Sequence, residues 1–180
     1  MNLIKLPRFV CLTVLAPLFL TACAGVPSGV EPVTGFELNR YLGTWYEIAR
    51  LDHSFERGLT QVTANYNLRD DDGVEVINRG YNTSDAEWSE AIGKAYFVGE
   101  AGVGQLKVSF FGPFYGGYNI FELDKTDYQY SLVAGPNKKF LWLLSRTPQM
   151  DQAKIDELVT KASELGFATD ELIFVDHKPM

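Results

Sequence analysis

Val62-Thr63-Ala64-Asn65-Tyr66-Asn67-Leu68 alternates apolar and polar residues without a break. That period of two is the signature of a strand with one dry face and one wet face. Leu106-Lys107-Val108-Ser109-Phe110 and Tyr128-Gln129-Tyr130-Ser131-Leu132 repeat it, and weaker versions run over 44–51, 74–81, 88–98, 118–123 and 140–146. The breaks carry turn chemistry: Asp72-Gly73, Gly102 and Gly104, Gly112-Pro113, Gly116-Gly117 and Gly135-Pro136-Asn137. Evenly spaced runs joined by tight turns predict an all-β fold, an eight-stranded up-and-down antiparallel barrel whose closure removes exposed edges. The period then lengthens. Thr147 can cap a helix with Pro148 at its first position, Gly166 can end it, and Ile155, Leu158, Val159, Ala162 and Leu165 share one face. Such a helix needs an apolar surface, and the outside of the barrel offers one. A short final strand is expected over 172–175.

A barrel spanning a membrane turns its apolar residues outward to lipid, whereas a soluble one turns them inward. The amphipathic helix argues for the second, because its apolar face must pack where a membrane barrel would meet lipid. With 23 acidic against 16 basic residues, the net charge of -7 argues against a partner bound through its phosphates, and no nucleic acid is expected. Two cysteines and two histidines exclude a disulfide scaffold and most zinc sites, so neither metal nor other cofactor is expected.

The N-terminus reads as an address. Lys5 and Arg8 precede an apolar run over 9–20, too short for the roughly 20 residues that span a bilayer. Leu20-Thr21-Ala22-Cys23 then resembles the bacterial lipoprotein signal, in which the cysteine is acylated and becomes the new N-terminus. The expected organisation is a signal peptide over 1–22, a lipidated Cys23 leading a tether over 23–34, and one domain over 35–180. Cys11 leaves with the signal, so the mature chain keeps Cys23 alone. Losing Lys5 and Arg8 takes the net charge from -7 to -9. Ala24, rather than an aspartate, follows the cysteine, which by the same resemblance implies sorting to the outer membrane, on its periplasmic side.

Tyr41-Leu42-Gly43-Thr44-Trp45-Tyr46 resembles the first lipocalin motif, Gly-x-Trp at the start of strand one. Phe140-Leu141-Trp142-Leu143-Leu144-Ser145-Arg146 resembles the family's last-strand motif, in which an arginine packs across that tryptophan. The two stand at the ends of an eight-strand pattern with a helix next, so the resemblance covers the whole mature domain. It narrows to bacterial outer-membrane lipoprotein lipocalins, similar to apolipoprotein D. Gly43, Trp45 and Arg146 are thereby expected to be structural. The middle motif departs from pattern, because Thr126-Asp127-Tyr128 is followed by Tyr130 after two residues instead of three.

The resemblance implies a ligand cavity lined by Ala64, Tyr66, Val74, Val76, Asn78, Leu106, Val108, Phe110, Phe140 and Trp142. The implied ligand is a fatty acid or lysophospholipid, bound, stored or transported for upkeep of the cell envelope under stress. The alternative from the residues alone is a filled barrel whose surface binds an envelope partner or a second copy, with the aromatic 111–118 segment as the contact. Catalysis, such as lipid modification, finds no nucleophile, base and orienter together. His53-Ser54 reads as a surface loop at the barrel mouth, His177 as solvated, and Asp70-Asp71-Asp72-Gly73 as a hairpin turn without calcium-loop spacing.

Overall fold

The computed structural model describes residues 25–178. A short helix, α1 (Leu38–Tyr41), precedes β1 (Gly43–Arg50), β2 (Leu59–Leu68), β3 (Val74–Asn82), β4 (Glu87–Phe97), β5 (Gln105–Ser109), β6 (Gly116–Leu123), β7 (Tyr130–Ala134) and β8 (Leu141–Ser145). There follow α2 (Gln152–Glu164), a 3-10 turn (Thr169–Glu171) and β9 (Ile173–Phe174). Each of the eight strands pairs antiparallel with the next, and β8 and β2 both pair with β1, closing the barrel.

The ninth strand bonds outside this ring, and a bulge makes room for it. β1 pairs with β2 only from Gly43 to Tyr46. Beyond that β2 shifts register between Thr60 and Thr63, with Gln61 at φ 51°, and leaves the edge of β1 free. Phe174 and Ile173 take that edge opposite Ala49 and Arg50.

Two apolar layers result. Inside the barrel lie Trp45, Tyr66, Val76, Leu106 and Leu144. Between the outer wall and α2 lie Ile48, Phe121, Leu132, Leu143, Ile155, Leu158 and Ala162. The helix therefore covers the barrel's outside, as its periodicity predicts. Its start is not where the sequence places it. Asp151 caps the helix, its Oδ1 accepting from Ala153 N at 3.0 Å and Lys154 N at 3.3 Å. Thr147 instead donates to Gln149 O at 2.6 Å, in a turn that carries the chain from the end of β8 out to the wall. Gly166 does end the helix, at φ 81°, with Phe167 N donating back to Ala162 O at 3.2 Å.

The connections β1–β2, β3–β4, β5–β6 and β7–β8 gather at one end, which is open. α1 closes the other: the Tyr41 ring lies 4.6 Å from that of Trp45, and the Phe36 ring lies tilted beyond it at 5.3 Å. The 25–34 segment, expected as a tether, is packed along the outer wall. Val30 is buried, and Val33 exchanges backbone bonds with Ile120 and Gly104 at 2.8 Å each. Residues 1–24, with the expected signal peptide and the expected lipidation site Cys23, lie outside the described residues.

Candidate functional site: a cavity inside the barrel

Period-two alternation sends one set of side chains inward. β2 contributes Ala64 and Tyr66; β3 contributes Val74, Val76 and Asn78; β5 contributes Leu106 and Val108, with Phe110 just beyond it. Trp142 comes from β8 and Phe140 from the turn before it. All ten line one cavity of about 590 Å³, within the usual range for small-molecule pockets. Gly93 on β4 lets Phe110 lie against the wall, since a Cβ there would fall 2.8 Å from both its ring and Ser109 O.

The floor follows from two motifs. Trp45 is fully buried and its Nε1 donates to Tyr41 O at 2.8 Å. The Arg146 guanidinium lies 4.0 Å from the Trp45 ring centroid. It donates to Thr44 O at 3.0 Å, Arg40 O at 2.7 Å and Tyr128 O at 3.3 Å, tying β8 to both sides of the floor. Gly43 turns beside it at φ 90°, a conformation that a side chain would strain. The irregular middle motif is explained here. Tyr128 does not begin β7; it sits before it at φ 55°, buried, its hydroxyl accepting from Glu37 N at 3.0 Å. Asp124 holds this turn by accepting from Thr126 N and Asp127 N.

Above the floor three tyrosines share a chain of hydrogen bonds, Tyr41 to Tyr118 at 2.8 Å and Tyr118 to Tyr66 at 2.7 Å. Burial keeps these phenols protonated: it pushes Tyr41 up to about 12 and Tyr66 and Tyr118 well above the ordinary range.

A charged cluster near the open end was absent from the sequence-based cavity. Glu47 and Glu56 line the cavity, and both are buried. Arg50 Nη1 donates to Glu47 Oε1 at 2.6 Å, while Nη2 donates to the carbonyls of Glu56 at 2.8 Å and Leu59 at 3.1 Å. Trp142 Nε1 donates to Glu56 Oε2 at 3.1 Å, and His53 Nε2 stands 3.1 Å from the same oxygen. Burial, then the Glu56 charge, hold the Glu47 carboxyl well above the usual carboxylate range against the pull of Arg50. Burial also acts to raise Glu56, but its contact with His53, the His53 charge, Trp142 and Arg50 outweigh it and leave this carboxyl below that range. The signal for Glu47 was present in the sequence, because it shares the face of β1 that carries Trp45.

His53 is therefore not a surface residue. It is buried, with its ring 4.0 Å from that of Phe55 and 5.2 Å from that of Trp142, while Ser54 is exposed. The loop turns His53 inward to meet Glu56, stack between Phe55 and Phe140, and lie tilted against Trp142. His177 is not simply solvated either: its Nε2 lies 2.8 Å from Glu47 O, and its ring stands edge-on to Tyr46. β9 carries it there. Asp70 to Gly73 form the β2–β3 hairpin as expected, with Asp71 bonded to Arg69, Tyr96 and Gly73 N. Among the described residues no group of three or more His, Cys, Asp or Glu side chains could hold a metal ion.

Residues 36–177 match the family model of a lipocalin-like domain. The chain is 55% identical over 165 residues to the outer membrane lipoprotein Blc of Vibrio cholerae serotype O1, covering 92% of this chain and 96% of that protein. A shorter stretch of 44 residues is 50% identical to bovine apolipoprotein D, covering 24% of this chain and 23% of that one. Among solved structures, insecticyanin from the tobacco hornworm Manduca sexta matches with a TM-score of 0.69 at 22% identity, over 86% of this chain and 87% of that one, a likeness of fold.

Proposed function

The chain belongs to the lipocalin family, and on that premise we propose that it is an outer-membrane lipoprotein carrying a lipid in its barrel. The cavity supports this reading most directly: about 590 Å³, open at one end and walled mainly by apolar side chains, with lining residues from seven strands and their turns. A filled barrel acting only through its surface would leave no such space. The close relationship to proteins named outer membrane lipoproteins supports the location. Under this reading residues 1–22 are a signal peptide, Cys23 carries the acyl anchor on the periplasmic side, and residues from 35 form the carrier domain. Lipocalins are binding and transport proteins, and the buried His53 has Glu56 rather than a hydroxyl nucleophile beside it.

The ligand is a long acyl chain, as a fatty acid or lysophospholipid, and its role is upkeep of the envelope under stress. Burying ten methylenes contributes about 8 kcal/mol before ordering costs, compatible with micromolar or tighter binding. Ala64, Tyr66, Val74, Val76, Asn78, Leu106, Val108, Phe110, Phe140 and Trp142 contact it. Native mass spectrometry of the delipidated mature protein, offered palmitate or lysophosphatidylethanolamine, tests this. One lipid per chain is expected, and Ala64→Trp, which fills the cavity, should abolish the adduct while leaving the fold intact by circular dichroism. A folded wild-type chain that takes up neither lipid overturns the reading.

A further inference from the structure

Fatty acids and lysophospholipids differ at the head, and the charges around the cavity favour one kind of head over another. Among the described residues, the charged side chains that border it are Glu47, Glu56 and Glu90 against Arg79. Arg79 is exposed and lies over Trp88 on the outer wall, 4.2 Å from its ring centroid. Glu47 and Glu56 are buried, at 3% and 6% exposure, and the cations near them stand behind, since neither Arg50 nor His53 borders the cavity. Arg50 holds Glu47 Oε1, while Trp142 and His53 hold Glu56 Oε2. That leaves Glu47 Oε2 and Glu56 Oε1 for each other and for the cavity. The two carboxyls are close enough to bond, and burial with like charge keeps a proton on Glu47 while Glu56 stays ionised. A second observation points the same way. Ser109 Oγ and Asn78 Oδ1 are buried atoms without a hydrogen-bond partner, and both residues border this cavity. Ser109 is 4% exposed and ends β5, beside the open end. Buried polar atoms are rarely left unpaired. Carboxyl oxygens, an amide oxygen and a hydroxyl call for a donor with positive charge, and an ammonium offers three N–H donors and no acceptor.

We propose that the Glu47–Glu56 pair is a head-group site and takes a primary ammonium, so that the barrel selects lipids that carry an amine. The hydrocarbon chain extends from there over Val76 and Leu106 toward the floor. An ammonium against the pair supplies the positive charge that the Glu47 proton supplies in its absence, so the carboxyls stay compensated when that proton leaves. A carboxylate head brings further acceptors and a second negative charge to the same place. Fatty acids still enter by burying their chains, but gain nothing at the head. The proposal deepens the carrier function proposed above and rests on it.

The probes are dodecylamine, dodecanoate and dodecanol, which share one chain, and lysophosphatidylethanolamine and lysophosphatidylglycerol, which share a phosphate and differ in the amine. Each is titrated into the delipidated mature protein near neutral pH, against a fluorescent fatty acid that it displaces. Dodecylamine should bind about tenfold tighter than dodecanol, and dodecanoate more weakly than either. Glu56→Gln keeps an acceptor for Trp142 Nε1 but removes the charge, and should bring the amine down to the alcohol. Affinity relative to dodecanol in the same variant is the readout, so a general loosening of the barrel cancels. Glu47→Gln is the second variant, and should narrow the same ratio because a glutamine has no proton to give up. Equal affinities for the three dodecyl probes in the wild type overturn the proposal. So does an amine preference that persists in the folded variants, or a loss of all three probes together in Glu56→Gln, which would make the pair purely structural. Preference for lysophosphatidylethanolamine over lysophosphatidylglycerol supports the site and identifies an ethanolamine head as the source of the amine. Preference confined to dodecylamine supports it with a free alkylamine as the source. A folded wild type that takes none of the five fails the carrier reading and this proposal with it. One that takes them without regard to charge fails this proposal alone.

Discussion

At the residue scale, two arginines do different work. Arg146 holds the floor with its planar fork, stacked on Trp45 and bonded to three carbonyls from three parts of the chain. A lysine keeps the charge but not that geometry. Arg146→Lys should therefore cost about 1–2 kcal/mol, discounted for partial exposure, read as a lower urea midpoint with an unchanged slope. An unchanged midpoint would show the fork to be dispensable. Arg50 is buried instead, and pins the β1–β2 loop while offsetting Glu47. Because the folded state raises the Glu47 carboxyl, it holds a proton there that the unfolded chain has released. Its stabilising contribution is full below the ordinary glutamate value and is lost as pH rises through the raised one. The stability of wild type minus that of Glu47→Gln should accordingly fall as pH rises above the ordinary glutamate range. A difference that stays flat, or that grows, in chemical denaturation would contradict the assignment.

At the element scale, α2 depends on caps that its neighbours position. Asp151 accepts two of the helix's first backbone N–H groups, so Asp151→Ala should lose about 1 kcal/mol, lowering the melting temperature by about 2–4 °C. Thr147→Ala should not mimic it, since Thr147 sits in the preceding turn. The helix face was legible from Ile155, Leu158, Val159, Ala162 and Leu165, but not its first residue. Thr147-Pro148 and Asp151 are both sound N-terminal signals, and only the distance from the end of β8 to the outer wall selects the second. The strands were read for the same reason as the helix face, since one side is dry and the other wet. Tyr128 misled that reading because its ring is buried like a strand residue's while its backbone is left-handed.

At the scale of the whole molecule, a closed barrel with an unfilled interior has a simple thermodynamic consequence. A ligand that binds only the folded barrel stabilises it by mass action. Fatty acid at one hundred times its dissociation constant should add about 2.7 kcal/mol and raise the melting temperature of the delipidated protein by about 5–10 °C. Ala64→Trp should melt at the same temperature with and without lipid. A wild-type midpoint indifferent to every chain length would argue for a barrel that works through its surface.

Whereas the set of inward side chains came from the family resemblance, the residue pattern by itself determined the strand count, the antiparallel order and the helix that follows. These depend on local periodicity and on turns between neighbours, and both are written along the chain. Gly43, Trp45 and Arg146 could be paired from the family's motifs before any distance was known. What only the tertiary structure decided is whatever depends on residues far apart in sequence meeting in space. The burial of His53 against Glu56 and Trp142 requires a loop to fold inward over a strand 86 residues away in the chain. The position of β9 requires a bulge in β2 to free an edge of β1. The return of Gly25 to the open end requires the whole 25–36 segment to run the length of the wall. Periodicity says which face of an element is dry; it says nothing about which distant partner keeps it dry.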